Sequence, residues 1–150
     1  MKKLIFLISF LSIGFLSAQE KAELNWHTDF DKAQTIAKKE HKPIVLLFTG
    51  SDWCPPCMAM HRDLFHNKEF VNLSKKVVLV LVDFPRRKPM STEQRMKNSA
   101  LARKYHQGGV PTFVALTPDG KIIDKISGYM FGHPERDIAF FEKIIKAVQK

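Results

Sequence analysis

Two uninterrupted apolar runs constrain the fold of this chain more than any other feature of its sequence. Residues 44–48 read Ile-Val-Leu-Leu-Phe, and residues 77–82 read Val-Val-Leu-Val-Leu-Val. A strand with one exposed face alternates apolar and polar side chains, so an unbroken run indicates a strand that is buried on both faces. Segments with helical spacing surround both runs. The sequence therefore predicts an α/β protein whose central sheet has a parallel core and helices on both faces.

The remaining segments complete this architecture. Helices are predicted from a cap at Thr28 to Pro43, from near Cys54, from a cap at Asn67 to Lys75, over residues 92–105 and over residues 134–149. Residues 112–116 and 121–126 flank a Thr-Pro-Asp-Gly turn, which is typical of a hairpin and adds an antiparallel edge to the sheet. No linker divides the chain, so we expect one domain over residues 19–150.

Residues 1–18 have the pattern of a secretory signal peptide. Two lysines precede an apolar stretch over residues 4–16, and Ser17 and Ala18 follow as small residues before a cleavage site. The alternative is an uncleaved membrane anchor, but the apolar stretch is shorter than the ~20 residues that span a bilayer. We therefore expect an exported, periplasmic protein.

The positive charge of the chain is concentrated in one segment. The formal net charge is +9, and residues 84–106 contribute +6 of it with seven basic side chains and one acidic side chain. Arg86-Arg87-Lys88, here called the basic run, lies in a predicted loop. It is a solvated loop, or it docks an acidic partner or a membrane surface. We expect no nucleic-acid partner, because no base-stacking aromatic residues are interleaved with the basic ones.

The only two cysteines of the chain form a Cys54-Pro-Pro-Cys57 motif. Two cysteines are too few for a disulfide scaffold or a four-cysteine zinc site. A C-x-x-C sequence that follows a buried strand and opens a helix indicates a redox-active dithiol, because the helix N-terminus stabilises a thiolate at the first cysteine. Pro55 and Pro56 lack N–H groups, so we expect only a moderate lowering of the Cys54 pKa. The alternative is a pair of structural cysteines.

With this motif in place, the chain resembles the thioredoxin superfamily. Residues 48–57 look like the family's strand, loop and active-site motif, and residues 109–112, Gly-Val-Pro-Thr, look like its cis-proline loop. The resemblance covers residues 26–149 and implies a thioredoxin-like fold. The stretch after the motif is similar to the C-terminal domain of the periplasmic transmembrane thiol:disulfide interchange protein.

The resemblance implies a role for each residue of the motif. Cys54 would be the nucleophile and Cys57 the resolving thiol, Trp53 would flank the site, and Val110 would bind an extended peptide through its backbone beside a cis Pro111. The implied function is an exported thiol:disulfide oxidoreductase that needs no cofactor, expected to be a reductase. The alternative direction is an oxidase or isomerase. Its partners would be disulfide-containing proteins and a membrane thiol donor, and a monomer is expected.

The chain departs from the family in the residues that handle the proton of the resolving cysteine. Phe48 and Leu79 occupy the positions where many relatives have a buried carboxylate and a buried lysine. His61 lies four residues after Cys57, on the same helix face, and is a candidate proton acceptor. The alternative is an exposed helix histidine without a role in the chemistry.

A copper-binding module is the other function that the sequence suggests. Five residues of the motif and its helix are soft or borderline ligands that suit Cu(I): Cys54, Cys57, Met58, Met60 and His61. Methionines after such a motif more often fill the core. We therefore assign no metal site from the sequence.

Overall fold

The computed structural model describes residues 24–105 and 108–148, so the signal-peptide prediction for residues 1–18 lies outside the described residues. Among the residues described, no helix is both long enough and apolar enough to cross a membrane. The elements in chain order are β1 Trp26–His27, α1 Phe30–Glu40, β2 Ile44–Thr49, α2 Pro55–Asp63, α3 Lys68–Ser74, β3 Val78–Asp83, α4 Thr92–Tyr105, β4 Thr112–Leu116, β5 Ile122–Ser127 and α5 Glu135–Val148.

The five strands form one mixed sheet in the order β1-β3-β2-β4-β5. Strands β1 and β2 pair in parallel with β3, and the β2–β3 register runs from Ile44 opposite Val78 to Thr49 opposite Asp83. Strand β4 pairs antiparallel with β2, and β5 pairs antiparallel with β4. The predicted parallel core with an antiparallel terminal hairpin is therefore confirmed.

The central strand β2 shows why its sequence is uniformly apolar. All six of its residues are buried. Alternate side chains point to opposite faces, so Val45 and Leu47 pack in a core with α5, while Leu46 and Phe48 pack in a second core with α1. Because both faces of the sheet are covered, neither face of β2 can carry a solvated side chain.

The structure differs from the sequence prediction at two local points. Strand β1 was not predicted, because its two residues are fixed by parallel pairing with β3 rather than by any local pattern. The cap of α1 was assigned to Thr28, but Asp29 holds that position and its carboxylate accepts the Lys32 N–H at 3.1 Å. A helix can begin at either of two adjacent capping residues, and the sequence alone does not choose between them.

Three strands of the sheet end or begin at the same end of the sheet. Strands β2 and β3 finish there at Thr49 and Asp83, and the antiparallel strand β4 begins there at Thr112. The loop after β2 carries the cysteine motif, which opens α2. This end of the sheet therefore brings together the two cysteines, the loop before β4 and the loop after β3.

Candidate active site

Cys54 and Cys57 are joined by a disulfide bond at the N-terminus of α2. Cys54 is the N-cap residue, and Pro55 and Pro56 are the first helical residues. The Cys57 N–H points at the Cys54 Sγ, with a distance of 3.3 Å from nitrogen to sulfur. Because the two prolines lack an N–H, they supply no further donor to this sulfur. The helix therefore begins at the motif, as its sequence predicts.

The loop before β4 faces the disulfide from the other side. The Val110–Pro111 peptide bond is cis, and the Val110 carbonyl oxygen lies 3.6 Å from the Cys54 Sγ. The loop is held in place because the Thr112 hydroxyl donates to the Gly109 carbonyl at 2.8 Å and the Gly128 N–H donates to the Pro111 carbonyl at 2.8 Å. Val110 is half-buried and Pro111 is buried.

Trp53 precedes Cys54 and contacts the loop that follows β3. Its indole Nε1–H donates to the Phe84 carbonyl at 2.7 Å, and the guanidinium of Arg86 lies over the ring, 3.8 Å from its centroid. Gly50 lies against the same ring, where a Cβ would be 2.6 Å from Cζ2. Trp53 is thus fixed beside Cys54, as the resemblance implies.

Asp52 determines the position of the basic run. Its Oδ1 accepts the Arg86 N–H at 3.0 Å, and its Oδ2 accepts the N–H groups of Arg87 and Lys88 at 2.7 and 2.8 Å. These backbone donors stabilise the carboxylate and lower its pKa to about 2. Sequence analysis missed this contact, because the partners are more than thirty residues apart along the chain.

A cavity of about 520 Å³ opens beside Cys57, and both His61 and Asp83 line it. The sequence placed His61 on the helix face of Cys57, and the structure shows it exposed at the cavity. Sequence analysis missed Asp83, which ends β3 on the same face as Leu81. The Asp83 carboxylate accepts the Ser51 N–H at 2.9 Å and the Ser51 hydroxyl at 2.5 Å. Two titratable groups therefore share a cavity with the second cysteine.

The positions that hold a carboxylate and a lysine in many relatives are part of the core here. Phe48 is fully buried and Leu79 is 2% exposed. They belong to cores on opposite faces of the sheet. Neither position therefore offers a titratable group, whereas His61 and Asp83 line the cavity beside Cys57.

The candidate copper ligands do not converge. Met60 is 1% exposed and packs in the hydrophobic core, whereas Met58 is 39% exposed. Within residues 24–105 and 108–148, no three His, Cys, Asp or Glu side chains form a group that could hold a metal ion.

A second loop, residues 128–134, borders the site next to the Val110–Pro111 loop. It exposes Met130 and Phe131, at 53% and 57%. The Asp63 carboxylate, at the end of α2, accepts the Gly132 N–H at 3.3 Å and the Tyr129 hydroxyl at 3.4 Å. Burial and the nearby Asp63 charge raise the pKa of Tyr129 to about 12. Sequence analysis assigned no role to this loop.

A buried carboxylate lies next to this second loop. Asp137, in the first turn of α5, is fully buried, and neither of its oxygens has a hydrogen-bond partner among the described residues. The Arg136 Nε is 3.7 Å from its Oδ2, while the Arg136 Nη2 donates to the Gly128 carbonyl. Burial disfavours the charged form, which raises the pKa of Asp137 to about 6.

Comparison with known proteins gives matches over most of the chain. The family model of the thioredoxin-like domain matches residues 30–145. The disulfide bond reductase DsbH of Chlamydia pneumoniae is 33% identical over 129 residues, which cover 85% of this chain and 75% of that protein. The thioredoxin-related protein DsbJ of the same organism is 29% identical over 133 residues, covering 86% of this chain and 38% of that protein.

Solved structures show the same relationship. The structure of a DsbH oxidoreductase matches with a TM-score of 0.72 and 30% identity, covering 83% of this chain and 85% of that one. The reduced C-terminal domain of DsbD from Neisseria meningitidis shares the fold, with a TM-score of 0.59 at 21% identity over 79% of this chain and 98% of the domain. The chain therefore belongs to the thioredoxin-like domain family, and it is an oxidoreductase of that family whose cysteine pair, Cys54 and Cys57, is disulfide-bonded.

Proposed function

We propose that this protein is an exported disulfide reductase that transfers electrons from its Cys54–Cys57 dithiol to disulfide bonds in partner proteins. The observation that carries the proposal is the disulfide at the N-terminus of α2, with Cys54 facing the Val110 carbonyl at 3.6 Å. The relative that is 33% identical is a disulfide bond reductase. Export rests on the signal-peptide pattern of residues 1–18, with residues 19–150 as a single domain.

The reaction proceeds through two exchanges in which atoms and electrons balance. The Cys54 thiolate of the reduced protein attacks one sulfur of the partner's disulfide, whose other sulfur leaves as a thiolate and takes up a proton. Cys57 then loses its proton and attacks the Cys54 Sγ, which releases the second partner sulfur as a thiol. Two electrons pass to the partner, and the protein is left with the Cys54–Cys57 disulfide. A membrane thiol donor reduces it again.

Val110, Pro111 and Trp53 form the proposed binding surface for the partner. The Val110 carbonyl lies beside the Cys54 sulfur, which supports a role for the Val110 backbone in binding an extended peptide that carries the target disulfide. Trp53, the residue before Cys54, is fixed by its hydrogen bond to Phe84. A partner cysteine that reaches Cys54 therefore lies near a backbone edge and an aromatic ring.

The donors around the Cys54 sulfur support the proposed direction of electron flow. A strong oxidant needs a reduced form that is stabilised by a very acidic thiolate. Here Pro55 and Pro56 contribute no N–H, and the Cys57 N–H is the donor that points at the sulfur. The Arg86 guanidinium has the opposite effect: it lies over Trp53, the residue before Cys54, and its positive charge favours the Cys54 thiolate. We propose that the loss of N–H donors dominates and gives a reduction potential below about −200 mV.

Redox equilibration tests this function directly. We expect the potential, measured by thiol alkylation in glutathione or dithiothreitol buffers, to lie below about −200 mV, whereas a value near −120 mV would make the protein an oxidase. Cys54→Ser should abolish disulfide exchange. Cys57→Ser should accumulate mixed disulfides, because the first step survives without the second. If iodoacetamide labels Cys57 and spares Cys54 in the reduced protein, the order of attack is reversed.

His61 is the proposed proton acceptor for Cys57, and Asp83 is the matched alternative in the same cavity. Loss of the acceptor should slow the second exchange and leave the first unchanged. We expect His61→Ala to slow release from a preformed mixed disulfide and to shift its pH profile, while Asp83→Asn retains the wild-type profile. The reverse result would transfer the role to Asp83, and an unchanged profile in both variants would show that neither group accepts the proton.

A further inference from the structure

The three residues of the basic run are exposed at the edge of the active site, where Arg86 stacks on Trp53 and Lys88 lines the cavity beside Cys57. Asp52 lies two residues before Cys54, and it accepts hydrogen bonds from the backbone N–H groups of all three residues. The backbone of the basic run is therefore held against the segment that leads into Cys54.

Arg86 contacts Trp53, the residue that precedes Cys54. Its guanidinium stacks on Trp53 at 3.8 Å from the ring centroid. A stacked guanidinium uses its flat face for the ring, and the N–H groups at its edge can still bind a carboxylate in a bidentate way. The stack orients this donor edge without occupying it.

The carboxylates near the basic run are already engaged. Asp52 binds the backbone of the run, and Asp83 binds Ser51. In the described parts of the chain, neither the basic run nor Arg62, which lines the cavity together with Lys88, forms an ion pair. Basic residues elsewhere do pair with carboxylates, for example Lys97 with Glu93 at 2.9 Å and Lys143 with Asp124 at 2.8 Å. Among the described residues, the basic side chains at the active-site edge therefore have no carboxylate partner.

We propose that the basic run is a docking site for an acidic segment of the partner protein, next to the cysteine that exchanges with Cys54. This inference rests on the proposed function, because the docked protein is the disulfide-bearing partner. The acidic segment lies along Arg86, Arg87 and Lys88 while the partner's disulfide reaches Cys54. Attraction between the basic run and an acidic segment raises the rate of productive encounter. It also selects partners that have acidic residues beside the disulfide.

Matched disulfide peptides test this selection. Three peptides of equal length carry the same intramolecular disulfide, flanked by glutamates, glutamines or lysines. We expect the reduced wild-type protein to react with the glutamate peptide about tenfold faster than with the glutamine peptide at low ionic strength, and slowest with the lysine peptide. Added salt should remove the difference, because it screens exposed charges.

Two variants of equal net charge locate the effect. In Arg86→Gln/Arg87→Gln/Lys88→Gln, the rate ratio between the glutamate and glutamine peptides should fall to about one, since the docking charges are gone. The control, Lys68→Gln/Lys75→Gln/Lys76→Gln, removes three exposed charges on and just after α3 and should keep the wild-type ratio. Each ratio is taken within one variant, so a general change in thiol reactivity cancels. An equal loss in both variants would overturn the docking site in favour of net charge alone.

The remaining outcomes separate this proposal from the function on which it rests. Equal rates with all three peptides in the wild-type protein would overturn the docking site and leave the reductase function intact. Failure to reduce any of the three peptides would overturn both. Equal peptide rates together with binding to phosphatidylglycerol vesicles, lost in the basic-run variant, would identify the run as a membrane contact and overturn the proposal.

Discussion

Two loops flank the Cys54–Cys57 disulfide. Each is anchored by its own aspartate, and the two aspartates differ in the number and length of the hydrogen bonds that they accept. Residues 84–90 carry the basic run, and Asp52 accepts three of their backbone N–H groups at 2.7–3.0 Å. Residues 128–134 expose Met130 and Phe131, and Asp63 accepts one backbone N–H and one hydroxyl at 3.3 and 3.4 Å. One side of the site is therefore cationic and firmly held, and the other is apolar and more loosely held.

The two loops also differ in the electrostatic state of their carboxylates. Backbone donors lower the pKa of Asp52 to about 2, so its charge stabilises the folded loop throughout the physiological range. Next to the second loop, burial without a hydrogen bond raises the pKa of Asp137 to about 6. The cationic side thus uses its carboxylate as an anchor, whereas the apolar side carries a carboxylate that destabilises it at neutral pH.

Replacing Asp137 should give the largest change in stability. Below about pH 4 the Asp137 carboxyl is protonated in both the folded and the unfolded protein. As the pH rises, the unfolded protein loses this proton first, so the free energy of unfolding decreases. The decrease ends once the pH passes the folded-state pKa of about 6. The difference of about two pKa units corresponds to up to about 3 kcal/mol at pH 7. We expect Asp137→Asn to match wild type near pH 4 and to be more stable at pH 7 by up to this amount, measured by urea unfolding.

Asp124 provides a control of opposite sign. The hydrogen bond from Lys143 lowers its pKa, so its contribution is present at neutral pH and is lost as the pH falls. Asp124→Asn should therefore be less stable than wild type at pH 7 and should approach it in acid. A stability gain in Asp137→Asn that does not vary with pH would contradict the account of the second loop.

Gly50→Ala should destabilise the cationic loop by displacing the Trp53 ring on which Arg86 stacks. A Cβ at residue 50 would lie 2.6 and 2.7 Å from two atoms of the Trp53 ring, closer than real Cβ contacts. The ring must move, which breaks its bond to Phe84 and its stack with Arg86, and overpacking of this kind costs about 1–3 kcal/mol. Urea unfolding and Trp53 fluorescence, read in a Trp26→Phe background, report both effects. In the control Gly109→Ala, nothing lies within 4 Å of the new Cβ, so an equal loss there would contradict the steric explanation.

The two aspartate anchors should respond unequally to loss of their charge. Asp52→Asn should speed hydrogen exchange of the residue 86–88 amides on the order of tenfold, and Asp63→Asn should have a smaller effect at Gly132, because its bonds are longer. In the wild-type protein, the NMR signals of these three amides should titrate near pH 2, the pKa of Asp52. Titration near pH 4 would show that the loop does not hold this carboxylate.

The features that sequence analysis predicted correctly are those with local causes. Burial on both faces leaves an unbroken apolar run, so β2 and β3 could be recognised from their own residues. The start of α2 was also predictable, because Cys54 and the two prolines that follow suit the first turn of a helix. The resemblance then placed Val110 and Pro111 opposite the cysteines, although they are more than fifty residues away.

The features that it missed depend on contacts between distant segments. Nothing near Asp52 or Asp83 in the sequence shows that one binds the basic run and the other shares a cavity with Cys57. Asp52 could be interpreted only as an acidic neighbour of Cys54. Asp137 was equally hidden, because it lies in a charged first turn whose burial becomes evident only when α5 packs on the sheet.

The short strand β1 has a consequence for how the protein behaves at high concentration. An edge strand exposes unpaired N–H and C=O groups on which another chain can add a strand, and long flat edges promote aggregation. The edge strand β1 has only the two residues Trp26–His27. The other edge strand, β5, contains a register irregularity and an exposed Lys125. Neither edge is therefore a good template for adding a foreign strand.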